Sequence, residues 1–256
     1  IALAQLLATA HERRGDLRRA TAYQHSALVY QDEQRDPEAA LATLSELQRL
    51  YAQLAQHGEV LRVCAEALRL EKTVARPDPE RLSQTYLAMG RAQAALHRLD
   101  HAEQSLQQAL RSAANPEAER ALAEVRAQIA RHEQALAVAT QSRALLERAR
   151  LPDLYSLVFV IALQLQHSLP LGRREEVRAY RADLTQLLRA RRHELTFAAD
   201  DPTAQALLAL LRGEEAAEAR LAAAEYRAAL DLLRRAAQPN AALLKLLEYL
   251  LESVSA

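Results

Sequence analysis

The feature that most constrains this chain is a tripeptide that keeps returning. Asp36-Pro37-Glu38, Asp78-Pro79-Glu80 and Asn115-Pro116-Glu117 share one plan, and Asp201-Pro202 repeats its first two residues. Each has the chemistry of a helix start. The Asp or Asn side chain accepts from orphan amides of the first turn. Pro occupies a position whose missing N–H had no partner, and Glu complements the positive end of the helix dipole. With Pro152 and Pro239 added, the prolines at 37, 79, 116, 152, 202 and 239 are spaced by 42, 37, 36, 50 and 37 residues. A period of about 40 residues built from helix starts requires one helical hairpin per repeat.

Every period also has a midpoint break. Gly15-Asp16, His57-Gly58, His97-Arg98, Leu171-Gly172 and Arg212-Gly213 fall between helical patterns, whereas a break at Ala130-Arg131 rests on alignment alone. The expected first helices of the hairpins run 1–13, 36–56, 79–96, 116–130, 152–168 and 201–212. Their partners run 16–34, 58–74, 99–113, 133–150, 173–194 and 214–237, and a last helix covers 241–254. Composition points the same way. Ala and Leu dominate, Trp is absent, Phe occurs twice and Gly five times. A sheet would need β-branched and aromatic residues on its faces and more Gly at its turns. Ala and Leu instead stand at the favourable end of the helix scale. The expected class is all-α, an α-solenoid of about six stacked antiparallel hairpins plus a C-terminal helix.

Here a resemblance becomes nameable. Tyr86, Met89 and Gly90, followed by Leu99, Ala102, Leu106 and Ala109, resemble the large and small positions of a tetratricopeptide repeat. Leu7, Ala8, Gly15, Leu17, Ala20 and Ala27 fit a first copy, Tyr51 and Ala67 a second, and Leu122, Ala123 and Ala135 a weaker fourth with Arg126 where the family prefers an aromatic. The small residues stand where paired helices must approach closely. Repeats nearer 40 than 34 residues resemble the longer arrays of bacterial signalling and transcription regulators. Residues 1–150 are expected to form these repeats. Residues 151–256 are expected to form less regular hairpins with a capping or interface helix, either continuing the solenoid or as a second subdomain.

Little in the chain speaks for chemistry. Five scattered glycines supply no phosphate-cradling loop, and no cofactor is implied. His97 and His101 are four apart, but Leu99-Asp100 reads as a turn and cap that splits them. His11-Glu12 and His132-Glu133 lack the second His of a zinc-protease motif, so no metal site is expected. His57, His97 and His132 fall at expected turns. Glu214, Glu215 and Glu218 read as the acidic opening of a long helix. Tyr155, Phe159, Tyr180 and Tyr226 recur at helical spacing, as core aromatics do. Cys64, the single cysteine, reads as a buried thiol. The expectation is a protein that is not an enzyme.

Charge narrows the partners. Lys plus Arg equals Asp plus Glu at 33 each, so no global field steers the chain toward nucleic acid or an anionic membrane. The run Arg189, Arg191, Arg192 and His193 lies beside Glu194 and Asp183 and reads as a solvated face. The most apolar stretch, 157–165, is far short of the roughly 20 residues that cross a bilayer. The opening at Ile1 looks mid-helix and Met89 is the only Met, which suggests a piece of a longer, cytoplasmic protein.

The resemblance implies a ligand groove along the first helices of the hairpins, one turn apart on each. Carried over, it names Gln5, Thr9, Glu12 and Arg13, then Ser45, Arg49 and Gln53, then Gln84 and Arg91, and finally Arg120 and Glu124. The Lys and Asn pattern that clamps a C-terminal carboxylate in some relatives is absent. Arg49, Arg91 and Arg120 offer planar forks to an acidic or carboxylate-bearing protein or peptide, or are ordinary solvated residues. At the other end Leu243, Leu247, Leu250, Leu251 and Val254 form an apolar stripe. The helix after Glu214 offers Leu221, Ala224, Ala228 and Leu232 as one seam, so either the stripe packs wholly on that helix or part of it forms an interface with a second copy or with further chain. Three functions stay open: a non-catalytic binding scaffold within a larger regulatory protein, a ligand-sensing regulatory domain, and a homodimerisation module.

Overall fold

The structure is a computed structural model that describes residues 1–31, 36–149, 152–198, 200–236 and 239–255. Among these residues it is helix and connecting turn, in thirteen helices. They are α1 (Ala2–Arg13), α2 (Leu17–Val29), α3 (Pro37–Gln53), α4 (His57–Glu71), α5 (Pro79–Ala95), α6 (Leu99–Ser112), α7 (Pro116–Glu147), α8 (Leu154–Ser168), α9 (Arg174–Ala190), α10 (Arg192–Phe197), α11 (Pro202–Glu215), α12 (Ala219–Arg235) and α13 (Ala241–Ser255). The expected helix ends at Gln34, Arg150 and Ala237 lie outside the described residues. Contacts group Ile1–Ile129 as one compact unit and Ala130–Ala256 as another, with α7 running through the division.

The helix starts follow the residues that announce them. Asp36 accepts from the Ala39 amide, Asp78 from Glu80, Asn115 from Glu117 and Ala118, and Asp201 from Thr203. At Pro152 and Pro239 the cap is the next residue: Asp153 accepts from Ser156, and Asn240 from Ala242 and Leu243.

The hairpin turns share one solution. After α1, α3, α5 and α8 the chain passes through left-handed backbone at Gly15, Ala55, His97 and Gly172, with φ of 78°, 53°, 55° and 67°. In each, the next amide reaches five residues back: Asp16 to His11, Gln56 to Tyr51, Arg98 to Gln93 and Arg173 to Ser168. This is the Schellman closure, which satisfies orphan carbonyls at a helix end. No such residue exists near Ala130-Arg131, and the expected break there is absent. The stretch from Arg126 to Ala135 holds no Gly, Pro or capping residue, so the helix runs on through 32 residues. His132 therefore lies inside a helix rather than at a turn. The opposite correction applies to 173–194, where the chain breaks at Arg191 between α9 and α10.

In the first unit each hairpin packs on the next: α1 pairs with α2, α3 with α4 and α5 with α6, while α2 meets α3, α4 meets α5, and α3 meets α5. Leu41, Leu44, Leu47, Val60, Val63 and Cys64 lie under one set of these contacts, and Leu87, Leu99, Ala102, Leu106 and Ala118 under the next. Burial pushes the Cys64 thiol up to about 12, so it stays protonated and inert. Gly90 faces Leu106 so closely that an added methyl would stand 2.6 Å from its Cγ. The second unit has its own core. In it α8 meets α9 and α13, α11 meets α9, α10 and α12, and α12 meets α13. Tyr226 is its largest fully buried side chain. Tyr180 packs partly buried, whereas Tyr155 and Phe159 stay exposed.

Three sequence expectations for this unit change. Gly213 is not a turn residue; it is buried inside α11 beneath the Tyr226 ring. Glu214 and Glu215 close α11 instead of opening a long helix, and Glu214 accepts from the Tyr226 hydroxyl at 2.7 Å and from Arg181 at 2.8 Å. The buried face of α12 carries Ala222, Ala223, Tyr226, Ala229, Leu230 and Leu233, while Leu221, Ala224 and Ala228 point to solvent. The C-terminal stripe is core as well. Leu243, Leu247 and Leu250 are only 1–2% exposed, with Leu251 and Val254 packed beside them. The element that covers the second side is α8, which the sequence pattern did not bring to α13. No open apolar interface remains at those three leucines.

Candidate functional site

The first helix of each hairpin in the first unit carries the groove residues. On α3 they recur at Ser45, Arg49 and Gln53, one turn apart, and on α5 at Gln84 and Arg91, two turns apart. All five line one pocket of about 580 Å³ between the two helices. Its floor is small and apolar, from Ala52, Ala88, Ala92 and Val60, and His57 and Gln48 complete the wall. The Ala residues are there because the hairpins must approach closely, and short side chains leave a trough beside them. Gln48 is 5% exposed and, among the described residues, its Nε2 has no hydrogen-bond partner. A buried donor without an acceptor is costly, which marks this amide as available to a ligand.

A second pocket, of about 300 Å³, lies between α1 and α3 and is lined by Gln5, Thr9, Glu12, Gln24 and Glu46 among others. Arg49 stands between the two. Its Nη2 donates to Glu12 Oε2 at 2.8 Å and to Glu46 Oε2 at 2.7 Å, and Nη1 donates to the other Glu12 oxygen. The guanidinium holds the Glu12 carboxyl below the usual carboxylate range, and that hydrogen bond raises Arg49 in turn. Arg91 donates to Glu117 Oε2 at 2.9 Å. Arg81, outside the groove, joins Glu38 on α3 at 2.7 Å and Glu71 on α4. Successive hairpins are thus stitched by charge pairs along the same face that carries the pockets.

Not every predicted residue joins. Arg13, Arg120 and Glu124 are exposed and line neither pocket. The sequence reading missed Gln24, Glu46, Gln48, Ala52, His57, Ala88 and Ala92. Glu46, Gln48 and Ala52 sit within one turn of Ser45, Arg49 and Gln53, so a wider stripe on the same helix face finds them. Gln24 comes from α2, and nothing in the spacing points to it. Neither His97 nor His101 meets a metal-like cluster, and among the described residues no group of three or more His, Cys, Asp or Glu stands close enough to hold an ion. Among the same residues no helix is long and apolar enough to cross a membrane.

No family model and no curated protein matches this chain. Among solved structures it is similar to the TPR2AB domain of yeast Sti1 in complex with pHSP90, at 11% identity over 100% of this chain and 98% of that one, with a TM-score of 0.43. It is also similar to BtubC (BKLC) from P. vanneervenii, at 16% identity over 93% of this chain and 82% of that one, with a TM-score of 0.31. The packing itself carries the reading of the fold. Gly90 lies under Leu106, with Leu99, Ala102 and Ala109 fully buried along the same partner helix. The array is tetratricopeptide-like. Within it the two pockets occupy the face on which the resemblance puts a ligand groove.

Proposed function

We propose that the chain is a non-catalytic scaffold that binds a protein or peptide segment across α1, α3 and α5, as the interaction or sensor region of a regulatory protein. The observation that carries this reading is the convergence of Ser45, Arg49, Gln53, Gln84 and Arg91 on one trough with an apolar floor and an unpaired buried amide. An extended peptide offers the complement: carbonyls for Gln48 and the guanidinium edges, and small side chains for the Ala floor. The guanidiniums already engage Glu12, Glu46 and Glu117, so an acidic ligand group must share or displace those carboxylates.

The test is selection from a random peptide display library against the full chain. Selected peptides are expected to lose at least roughly tenfold in affinity when Ala52→Trp fills the trough, a loss of about 1.4 kcal/mol. They are expected to keep it in Arg189→Glu, whose partner is Glu215 in the other unit. Peptides indifferent to Ala52→Trp would place the site elsewhere.

A further inference from the structure

The pocket between α1 and α3 has a chemistry of its own. It is the smaller of the two on this face, and the polar atoms it presents are mostly acceptors. Gln24 is 7% exposed and, among the described residues, its Oε1 has no hydrogen-bond partner. Thr9 spends its hydroxyl proton on the carbonyl of Gln5, at 3.0 Å, and keeps its lone pairs free to accept, whereas buried Thr43 donates to the Ala39 carbonyl and already accepts from Gln31 at 2.9 Å. Two carboxylates, Glu12 and Glu46, meet one guanidinium, Arg49, so among these three groups carboxylates outnumber cations at the pocket wall. Both oxygens of Glu12 are held by Arg49, whereas both bonds to Glu46 land on its Oε2 and leave Oε1 outside the ion pair.

We infer that this pocket is a subsite for a primary ammonium group. A buried carbonyl oxygen without a donor, a carboxylate oxygen outside its ion pair and the Thr9 hydroxyl oxygen ask for a donor that carries positive charge and has no acceptor of its own. An ammonium has three such N–H bonds and no lone pair. A guanidinium fits less well, because its planar fork wants two oxygens of one carboxylate, and the carboxylate so placed is already taken by Arg49. Ala8, Ala42 and Leu50 line the remaining wall and suit the methylene stem of a lysine. The ammonium comes either from a lysine side chain or from the amino terminus of a peptide. The inference rests on the ligand face proposed above and adds polarity to it: the basic end lies between α1 and α3, and the carbonyl or carboxylate end lies between α3 and α5, where Gln48 of α3 and Arg91 of α5 line the trough.

The test uses the full chain labelled with 15N and three small probes: Nα-acetyl-lysine amide, alanine amide, and Nα,Nε-diacetyl-lysine amide. The first carries only a side-chain ammonium, the second only an α-ammonium, and the third none. Saturable shifts are expected at the amides of Thr9, Glu12, Thr43 and Glu46 with one or both charged probes and not with the third, and the charged probe that binds more tightly names the source. Gln24→Leu and Glu46→Gln are each expected to weaken that binding roughly tenfold, the loss of one hydrogen bond to a charged group. Glu46→Gln keeps the exposed surface shape, so it remains decisive if Gln24→Leu perturbs the fold. Arg189→Glu, in the other unit, should leave amine binding unchanged. Equal binding of the diacetylated probe, absence of any saturable shift, or full affinity in Glu46→Gln overturns the inference. Amine binding alongside a failed peptide selection would instead remove the peptide-scaffold reading and leave the ammonium subsite standing.

Discussion

At the scale of single residues, the turns and the helix crossings ask opposite things of a side chain. The turn positions need left-handed backbone, which costs a residue with a Cβ roughly 1–2 kcal/mol. Gly15 and Gly172 meet that demand freely, while Ala55 and His97 adopt it against their own preference. We therefore expect Ala55→Gly to stabilise the first unit by roughly 0.5–1 kcal/mol, the gain less the extra unfolded-state entropy of Gly. Urea denaturation measures it, and Gly15→Ala should move the opposite way. The crossing glycines need space instead. A methyl on Gly213 would stand 2.3 Å from Cε1 of Tyr226, and one on Gly90 2.6 Å from Leu106 Cγ. Both Ala substitutions should cost roughly 1–3 kcal/mol by overpacking. Gly213→Ala should cost more, because a buried ring sandwiched beside Glu214 and Arg181 yields less than a leucine tip. The sequence showed that these glycines were rare and punctuating. Which of them served a turn and which a crossing was not legible at Gly213, since a breaker and a contact residue look alike until the partner helix is in place.

At the scale of helices, the starts were readable and the continuations less so. A cap is a local device, complete within four residues, and Asp36, Asp78, Asn115 and Asp201 all perform it as written. A missing turn is equally local, and α7 shows its consequence: without a left-handed residue or a Pro, nothing stops it. Ala130→Pro should then cost about 3 kcal/mol or more by removing a hydrogen bond in a helix interior, whereas a position between two helices would tolerate it. Thermal unfolding followed by circular dichroism distinguishes the two. Between helices the Glu12–Arg49 pair gives a pH test. The folded-state Glu12 is lowered relative to its unfolded value, mainly by the hydrogen bond from Arg49. Its contribution is therefore present above the ordinary Glu range of about 4.3 and is lost as pH falls below that value. Wild type should exceed Glu12→Gln in urea stability at pH 7, and the gap should close toward pH 3. A gap unchanged across that range would mean that the pair adds nothing through charge.

At the scale of the whole molecule, the second unit shows how far a pattern can mislead about what a helix meets. By spacing alone Leu243, Leu247 and Leu250 form a stripe wider than the neighbour in sequence, α12, covers. The chain returns α13 to α8, five helices earlier, and the stripe is buried on both sides. Deleting residues 239–256 should consequently unfold much of the second unit while the first keeps its exchange-protected amides around Leu44, Val63 and Leu106. Hydrogen exchange resolved by residue checks this, and uniform loss of protection in both units would contradict it. What the sequence determined by itself was everything that short-range chemistry controls: the all-helical class, the helix starts, the period near 40, and the small positions where hairpins close. Tertiary structure alone decided which faces were covered and which polar atoms went unpaired. Gln24 and Gln48 are ordinary polar letters in a helical pattern. They become candidate ligand contacts only because neighbouring helices bury them without supplying a partner, and long-range packing of that kind leaves no trace in local spacing.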